Sequence, residues 1–371
     1  MKKILFVSNT ANFSKFNRPY MKWCKENGWQ VDYVSAGEEP VVDCDNDIKI
    51  DLPRSPFSTK LFSSIHQMKK ILRNNNYDII HCHTPMGGVV ARIAARKYRK
   101  AGTKIIYTAH GFHFYKGAPL LNWLCYYPVE KYLAKFSDAI ITINREDYDR
   151  AKKKFSKFTR ILFMNGVGVD LSRFSKIDEE QNEAIRKSLG LDKKDFIITV
   201  VAELNKNKNQ TMLIKAIPSL LQSIPNLKVL FLGKETLPIA RQLVNSLSLT
   251  DKCLFLGYRK DVDLFEKISD ICFSASLREG LPVNIIESMA CGKVCVCSEN
   301  RGHCSLITNE ENGLLFNPND MEQMKKQILR VYRDKELVKN IASTANKDSK
   351  QYDVSVAVEF VAELYNNILE N

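Results

Sequence analysis

Along the first half of the chain, short runs rich in aliphatic and β-branched residues alternate with longer stretches whose apolar positions recur at helical spacing. Ile4–Val7, Val31–Ser35, Asp78–His81, Lys104–Thr108 and Ala139–Ile143 read as strands. A helical stretch from about Lys15 stops at Gly28, and a small-residue helix runs from Gly88 to about Tyr98. The run Met164–Asp170 has two glycines and no helical period, so it reads as a turn. A polar stretch through Asp178, Glu179 and Glu180 follows, and then a second alternating series begins. Its strands are Phe196–Val201, Lys228–Leu232, Lys252–Phe255, Ile271–Ser274 and Val294–Cys297. The tail from about Asp353 to Ile368 is amphipathic and reads as a helix.

Strands separated by helices pair in parallel through right-handed crossovers. The expected class is therefore α/β with two doubly wound domains, 1–170 and 195–352. The polar stretch 171–194 is expected to link them, and the helix 353–371 to complete the first. In such sheets ligands sit beyond the carboxyl ends of the strands, so two facing domains put the site in the cleft between them.

Composition narrows the class. With 44% hydrophobic and 26% charged residues in 371, the chain has the profile of a soluble globular protein. Its start turns polar too soon for a signal peptide, and no stretch approaches the roughly 20 apolar residues a membrane helix needs. Ten cysteines are scattered, mostly inside apolar runs such as those of Cys82, Cys272 and Cys295. That suits buried thiols in a reducing compartment, and a cytoplasmic location is expected. The formal net charge of +13 favours a polyanionic partner without choosing among nucleic acid, anionic lipid and a phosphate-bearing substrate.

The segment Ser274–Gly292 carries the most chemistry. A strand ends near Ser274, Gly280 permits a tight backbone path, Pro282 suits a first helical turn, and Gly292 ends the helix. Such a turn aims free N–H groups and the positive helix end at whatever fills the loop's mouth, which suits a diphosphate. Glu279 in the loop and Glu287 in the helix add two acceptors, one for a sugar hydroxyl and one for ribose hydroxyls. Read alone, they are ordinary helix-start acids.

In this context the segment resembles the signature of glycosyltransferase family four, retaining transferases with two Rossmann-like domains (the GT-B fold). Asn165–Asp170 is similar to the family's linker turn, and Asn309–Phe316 to its turn before the last short strand. His81-Cys82-His83-Thr84-Pro85 with Thr108-Ala109-His110-Gly111-Phe112-His113 resembles the bacterial capsule and exopolysaccharide branch. The resemblance implies that Glu279 and the backbone at Gly280 and Leu281 hold sugar and diphosphate, that Glu287 binds ribose, and that Lys208 contacts the diphosphate. His110 would lie near the donor sugar. The C-terminal helix would return to the first domain. The family's usual glycine-arginine pair is here Ala202-Glu203, which leaves Lys206 or Arg301 to supply a second positive charge.

His81 and His83 stand two apart at a strand end and share one face, with weaker candidacy for acceptor or sugar, as has His113. Neither these histidines nor Cys295, Cys297, His303 and Cys304 have the paired spacing of a zinc site, so no metal and no cofactor is expected. Basic clusters at Lys97–Lys104 and Arg150–Arg160 flank the apolar, aromatic run Ala118–Pro128, which suits an anionic membrane surface. No nucleic-acid motif accompanies the charge, so no nucleic-acid partner is expected. The resemblance implies transfer of a hexose or N-acetylhexosamine from a UDP-sugar to a polyprenyl-diphosphate-linked saccharide, with retention by front-face attack. The expected setting is the inner face of the plasma membrane, where the enzyme is peripheral. Two other readings stay open: a UDP-sugar 2-epimerase on the same fold, and a non-catalytic basic binding protein.

Overall fold

The apolar runs pair into two all-parallel sheets in the computed structural model, which describes residues 1–53, 55 and 58–370. The first sheet holds β1 (Lys3–Val7), β2 (Gln30–Ser35), β3 (Asn46–Lys49), β4 (Ile79–His83), β5 (Lys104–Ala109), β6 (Ala139–Thr142) and β7 (Arg160–Phe163), in the order β3-β2-β1-β4-β5-β6-β7. The second holds β8 (Phe196–Val201), β9 (Leu227–Leu232), β10 (Cys253–Gly257), β11 (Ile271–Ser274), β12 (Val294–Ser298) and β13 (Leu314–Phe316), in the order β10-β9-β8-β11-β12-β13. Strand order reverses beside β1 in one sheet and beside β8 in the other. Ile4 is in register with both Val31 and Ile79, and Ile198 with both Val229 and Ile271. At such reversals the flanking crossovers leave on opposite faces and open a crevice at the strands' carboxyl ends. Each sheet therefore has one inherent ligand position.

Met1–Gly168 together with the chain from Val354 onward forms one compact unit, and Val169–Asp353 forms the other. The core of the first is built from Leu5, Val7, Ile80, Ile105 and Ile140 on the sheet and Val90, Ala91, Ala94 and Ala95 on the helix Pro85–Lys100. Small residues let that helix lie close: a Cβ on Gly88 would stand 2.7 Å from the Tyr107 ring. The helix Val354–Glu370 belongs to this unit, with Tyr365 fully buried near Trp23 and Trp29. In the second unit Ile198, Val229, Ile271 and Val296 form the sheet's side of the core against Leu213, Ile217, Met324 and Ile328.

The polar stretch 171–194, expected as a connection, carries a helix at Glu179–Ser188 and lies within the second unit. Asp178 and Gln181 close a reciprocal capping box at its start, and Arg186 donates to the carbonyls of Asp195 and Ile268. The strand expected at Asp78–His81 runs instead over Ile79–His83, because Cys82 and His83 continue the ladder opposite Tyr107 and Thr108.

Candidate functional site

In the second unit the carboxyl ends of β8 and β11 lead into two loops that the structure ties together. The Leu277 N–H donates to the Asn207 carbonyl at 2.8 Å, and the Asn207 side chain donates to the Arg278 carbonyl at 3.0 Å. Across this seam Lys208 Nζ meets Glu279 Oε1 at 2.5 Å, with both side chains largely shielded. The two candidate residues from separate loops are thus an ion pair at the reversal of strand order.

A third loop, after β12, closes on the same spot. Asn300 Oδ1 accepts the N–H groups of Gly302 and His303 at 3.0 Å each, while its amide donates to the Ser276 carbonyl at 2.7 Å. Gly302 is required by contact: a Cβ there would fall 2.4 Å from the Cβ of Glu279. His303 is fully buried, its Nδ1–H donating to the Ser298 carbonyl at 2.6 Å, and burial pushes its pKa down. Arg301 is half-buried in this loop, between Asn300 and the Gly302 that touches Glu279, whereas Lys206 is exposed. Glu203 is exposed, and its side chain's recorded partner is the Asn205 amide at 3.4 Å.

Gly280 is exposed at the loop's tip and Leu281 packs against the cluster of Ile285, Ile286 and Cys272. The helix they introduce spans Val283–Ala290, with Pro282 standing one residue earlier than a first-turn position, at its N-cap. Asn284 fixes this helix to β8 by donating to the Val201 carbonyl at 3.1 Å. Glu287, one turn in, is half-buried, and burial pushes its pKa up to about 7, opposed by Arg173 and reinforced by Asp263. Behind it Glu266 is wholly buried, its Oε2 without a partner among the described residues and its Oε1 accepting from Ser288 at 3.1 Å. Burial and the neighbouring Glu287 charge push the Glu266 pKa well above the carboxylate range. A buried carboxylate without cationic partners retains its proton. A concavity lined by Asn205, Lys206, Gln210 and Ile239 adjoins the same loop but includes neither Glu279 nor Glu287.

In the first unit, Asn9 after β1 and Thr84 after β4 bridge the reversal. Thr84, at φ +62°, donates from its hydroxyl to Asn9 Oδ1 at 2.6 Å, and the Gly87 N–H donates to the same oxygen at 2.6 Å. His81, His83 and His110 converge here. The His81 and His83 rings lie 4.2 Å apart, and His83 Nδ1 is 3.1 Å from His110 Nε2. His81 is spanned by Tyr365 Oη at 2.6 Å and Thr108 Oγ1 at 2.7 Å. Burial pushes the pKa of His81 and of His110 down to about 3, and that of His83 well below the imidazole range, so all three are neutral. Phe13 sets its ring edge-on to His110 at 4.6 Å. His113, unlike His81 and His83, is exposed, and its ring stacks on Tyr126 at 4.5 Å.

Among the described residues no group of three or more His, Cys, Asp or Glu side chains is placed to hold a metal ion, and no helix is long and apolar enough to cross a membrane. All ten cysteines are free thiols. Sequence reasoning missed Asn207, Asn284 and Asn300, which organise the loops, and Glu266 and Tyr365, which lie behind them. Only Asn300 had a local signal, an Asx residue two before a glycine at a strand end.

Two family models match the chain: glycosyl transferase 4-like over residues 3–144, and glycosyl transferases group 1 over residues 181–348. The Bacillus subtilis protein EpsD, itself assigned to the glycosyltransferases, is 38% identical over 371 residues, covering 100% of this chain and 97% of that one. A galactosyltransferase of Escherichia coli, named for transfer from UDP-Gal to α-D-GlcNAc-diphosphoundecaprenol, is 28% identical over 94% of this chain and 89% of its own. Anabaena HepE, solved with UDP-glucose, superposes with a TM-score of 0.77 at 19% identity, over 99% of this chain and 100% of its own. A full-length match at this identity, on two doubly wound sheets, decides the class: the chain belongs to the group 1, family-four-like glycosyltransferases and is a transferase of the GT-B fold.

Proposed function

We propose that this glycosyltransferase moves a hexose or N-acetylhexosamine from a UDP-sugar to a polyprenyl-diphosphate-linked saccharide in the synthesis of a capsule or exopolysaccharide. The observation that carries the donor half is the Lys208–Glu279 pair at the strand reversal, beside a helix N-terminus with Glu287 one turn in. A diphosphate entering there would take Lys208 and the helix end as counter-charges and release Glu279 toward a sugar hydroxyl. Arg301 is the side chain we assign as the second cation, since its loop touches Glu279 while Lys206 points to solvent. Gly280 and Leu281 would present backbone N–H groups to the diphosphate, and Glu287 would accept from ribose hydroxyls. In the first unit His110 would address a sugar hydroxyl. His81 and His83 would serve as its support, while the exposed His113 ring, stacked on Tyr126, would be the weaker candidate for an acceptor or sugar contact. The names of the E. coli and Anabaena proteins support a UDP-sugar and a lipid-diphosphate acceptor.

Retention would follow from front-face attack, the acceptor proton passing to the departing phosphate oxygen. Lys208, Arg301 and the helix end would do the work a metal does elsewhere, so activity is expected to persist in EDTA. A peripheral position on the inner leaflet is supported by Leu120, Leu121 and Leu124, exposed at 73, 67 and 65%, on the helix Leu120–Leu133 near Lys116 and Lys131. The ten free thiols suit a reducing compartment, and no nucleic-acid-binding motif accompanies the basic charge.

The test is UDP release from a panel of UDP-glucose, UDP-galactose, UDP-N-acetylglucosamine and UDP-N-acetylgalactosamine, with and without bacterial membrane lipid extract. Lipid-dependent release by the wild type, cut about a hundredfold or more by Glu279→Ala and by Glu287→Ala in folded protein, is expected. Sugar release that needs no lipid would instead mark an epimerase or hydrolase. Full activity in both variants would remove the site assignment.

A further inference from the structure

We infer that His83 is a positioning residue whose Nδ1–H donates to Nε2 of His110, fixing His110 as the Nδ1–H tautomer so that it offers a donor, not a base, to a sugar oxygen. The inference deepens the proposed function and rests on its placing of His110 at a sugar. The bond is 3.1 Å between two ring nitrogens, and one proton lies between them. Its direction follows from the far side of His83. His83 Nε2 is buried and has no hydrogen-bond partner among the described residues. A buried N–H without an acceptor is the rarer and costlier orphan, so the proton belongs on Nδ1 and Nε2 keeps its lone pair. A neutral His110 that accepts at Nε2 must carry its proton on Nδ1.

Packing on every side prevents His83 from turning over. Its ring is stacked on Phe6 at 6.2 Å and 13°, lies 4.2 Å from His81, and meets Phe13 at 5.9 Å. His81 in turn is held at both nitrogens, by Thr108 and by Tyr365 of the helix Val354–Glu370. A turn of His83 about Cβ–Cγ would put carbon where Nδ1 now donates. The stack makes the orientation of His110 a property of the packed interior and not of its own loop, whose Gly111 has φ +138°. Hydroxyl oxygens of a hexose accept a hydrogen bond from a fixed N–H without proton transfer, which is the role a donor-only imidazole can fill.

The experiment reads the tautomer directly. Full-length protein labelled with 15N-histidine is expected to show His110 with a pyrrole-type Nδ1 and a pyridine-type Nε2. In His83→Leu those resonances should move to the average of a tautomer mixture, while His83→Asn, whose amide N–H takes the place of Nδ1–H, should keep them. With the UDP-sugar panel and lipid extract, His83→Leu should lower kcat about tenfold with donor KM changed less than about threefold, and His83→Asn should restore kcat to within about threefold. A wild-type His110 carrying its proton on Nε2 would overturn the inference, as would a His83→Leu protein unchanged in both spectrum and kcat. If the leucine variant does not fold, the wild-type and asparagine spectra still decide. Full kcat in His110→Ala would remove the sugar role of His110, and the wild-type spectrum would judge the tautomer separately.

Discussion

The surroundings of Glu287 bring its titration into the working pH range. Its carboxyl is pushed up to about 7 mainly by burial, while Glu266 behind it stays protonated. An ionised carboxylate binds hydroxyls more strongly than a carboxylic acid. Transfer is therefore expected to rise with pH through an apparent pKa of about 7, and Glu287→Gln should remove that limb along with most of the activity. The stability sign is opposite. A carboxyl raised in the folded state favours folding below its unfolded pKa, and that advantage is lost as pH climbs through the folded value. Thermal melts of the wild type should thus fall between about pH 4.5 and about pH 7, and Glu287→Gln should flatten the fall. At the neighbouring pair, Lys208→Ala leaves Glu279 without its cation; donor KM should rise about tenfold or more in initial-rate assays.

In the second unit it is loops that bring Lys208 and Glu279 together, and each loop has its own fastening. Asn207, Asn300 and Gly302 lock three loop segments, so a change in one should be felt at Glu279. Gly302→Ala places a methyl group 2.4 Å from the Cβ of Glu279, and overpacking of this kind costs about 1–3 kcal/mol. The loop after β12 should give way before the sheet does. The expected outcome is about a tenfold loss of kcat/KM with a melting temperature lowered by only a few degrees, read by kinetics and calorimetry on one preparation. The helix Leu120–Leu133 offers a separate test. Leu124→Glu adds a charge at an exposed apolar position and should weaken sedimentation with vesicles containing phosphatidylglycerol, leaving the melting temperature unchanged.

Each unit is built on a sheet whose order reverses once, and the chain leaves the first unit after Gly168 and re-enters it at Val354. The returning helix is no passive cover. Tyr365 is fully buried and spans to His81 Nδ1 at 2.6 Å, so the last helix is fastened to the interior strand that carries the histidines. Tyr365→Phe removes one partner and leaves a buried ring nitrogen unsatisfied, which costs about 1–3 kcal/mol. Denaturant unfolding should show that loss.

The class of the fold, the strands with strong aliphatic runs and the carboxylate segment Ser274–Gly292 are all legible along the chain, because periodicity and Gly/Pro punctuation are local properties. Glu279 and Glu287 are legible because their spacing is written in one loop and the helix it opens, and Lys208 because its own loop after β8 resembles the family's pattern. The helix at Glu179–Ser188 has a start signal in Asp178 and Gln181, but its short apolar face leaves little helical period to read. Packing in three dimensions is what pairs Lys208 with Glu279, turns Glu203 to solvent, sets Glu266 behind Glu287 and stacks an exposed His113 on Tyr126. It also made His81 and His83 interior residues of a strand, linked to Tyr365 some 284 positions along the chain. Such pairings arise where parallel strands end side by side, and no local pattern of polar and apolar residues encodes which ends those will be.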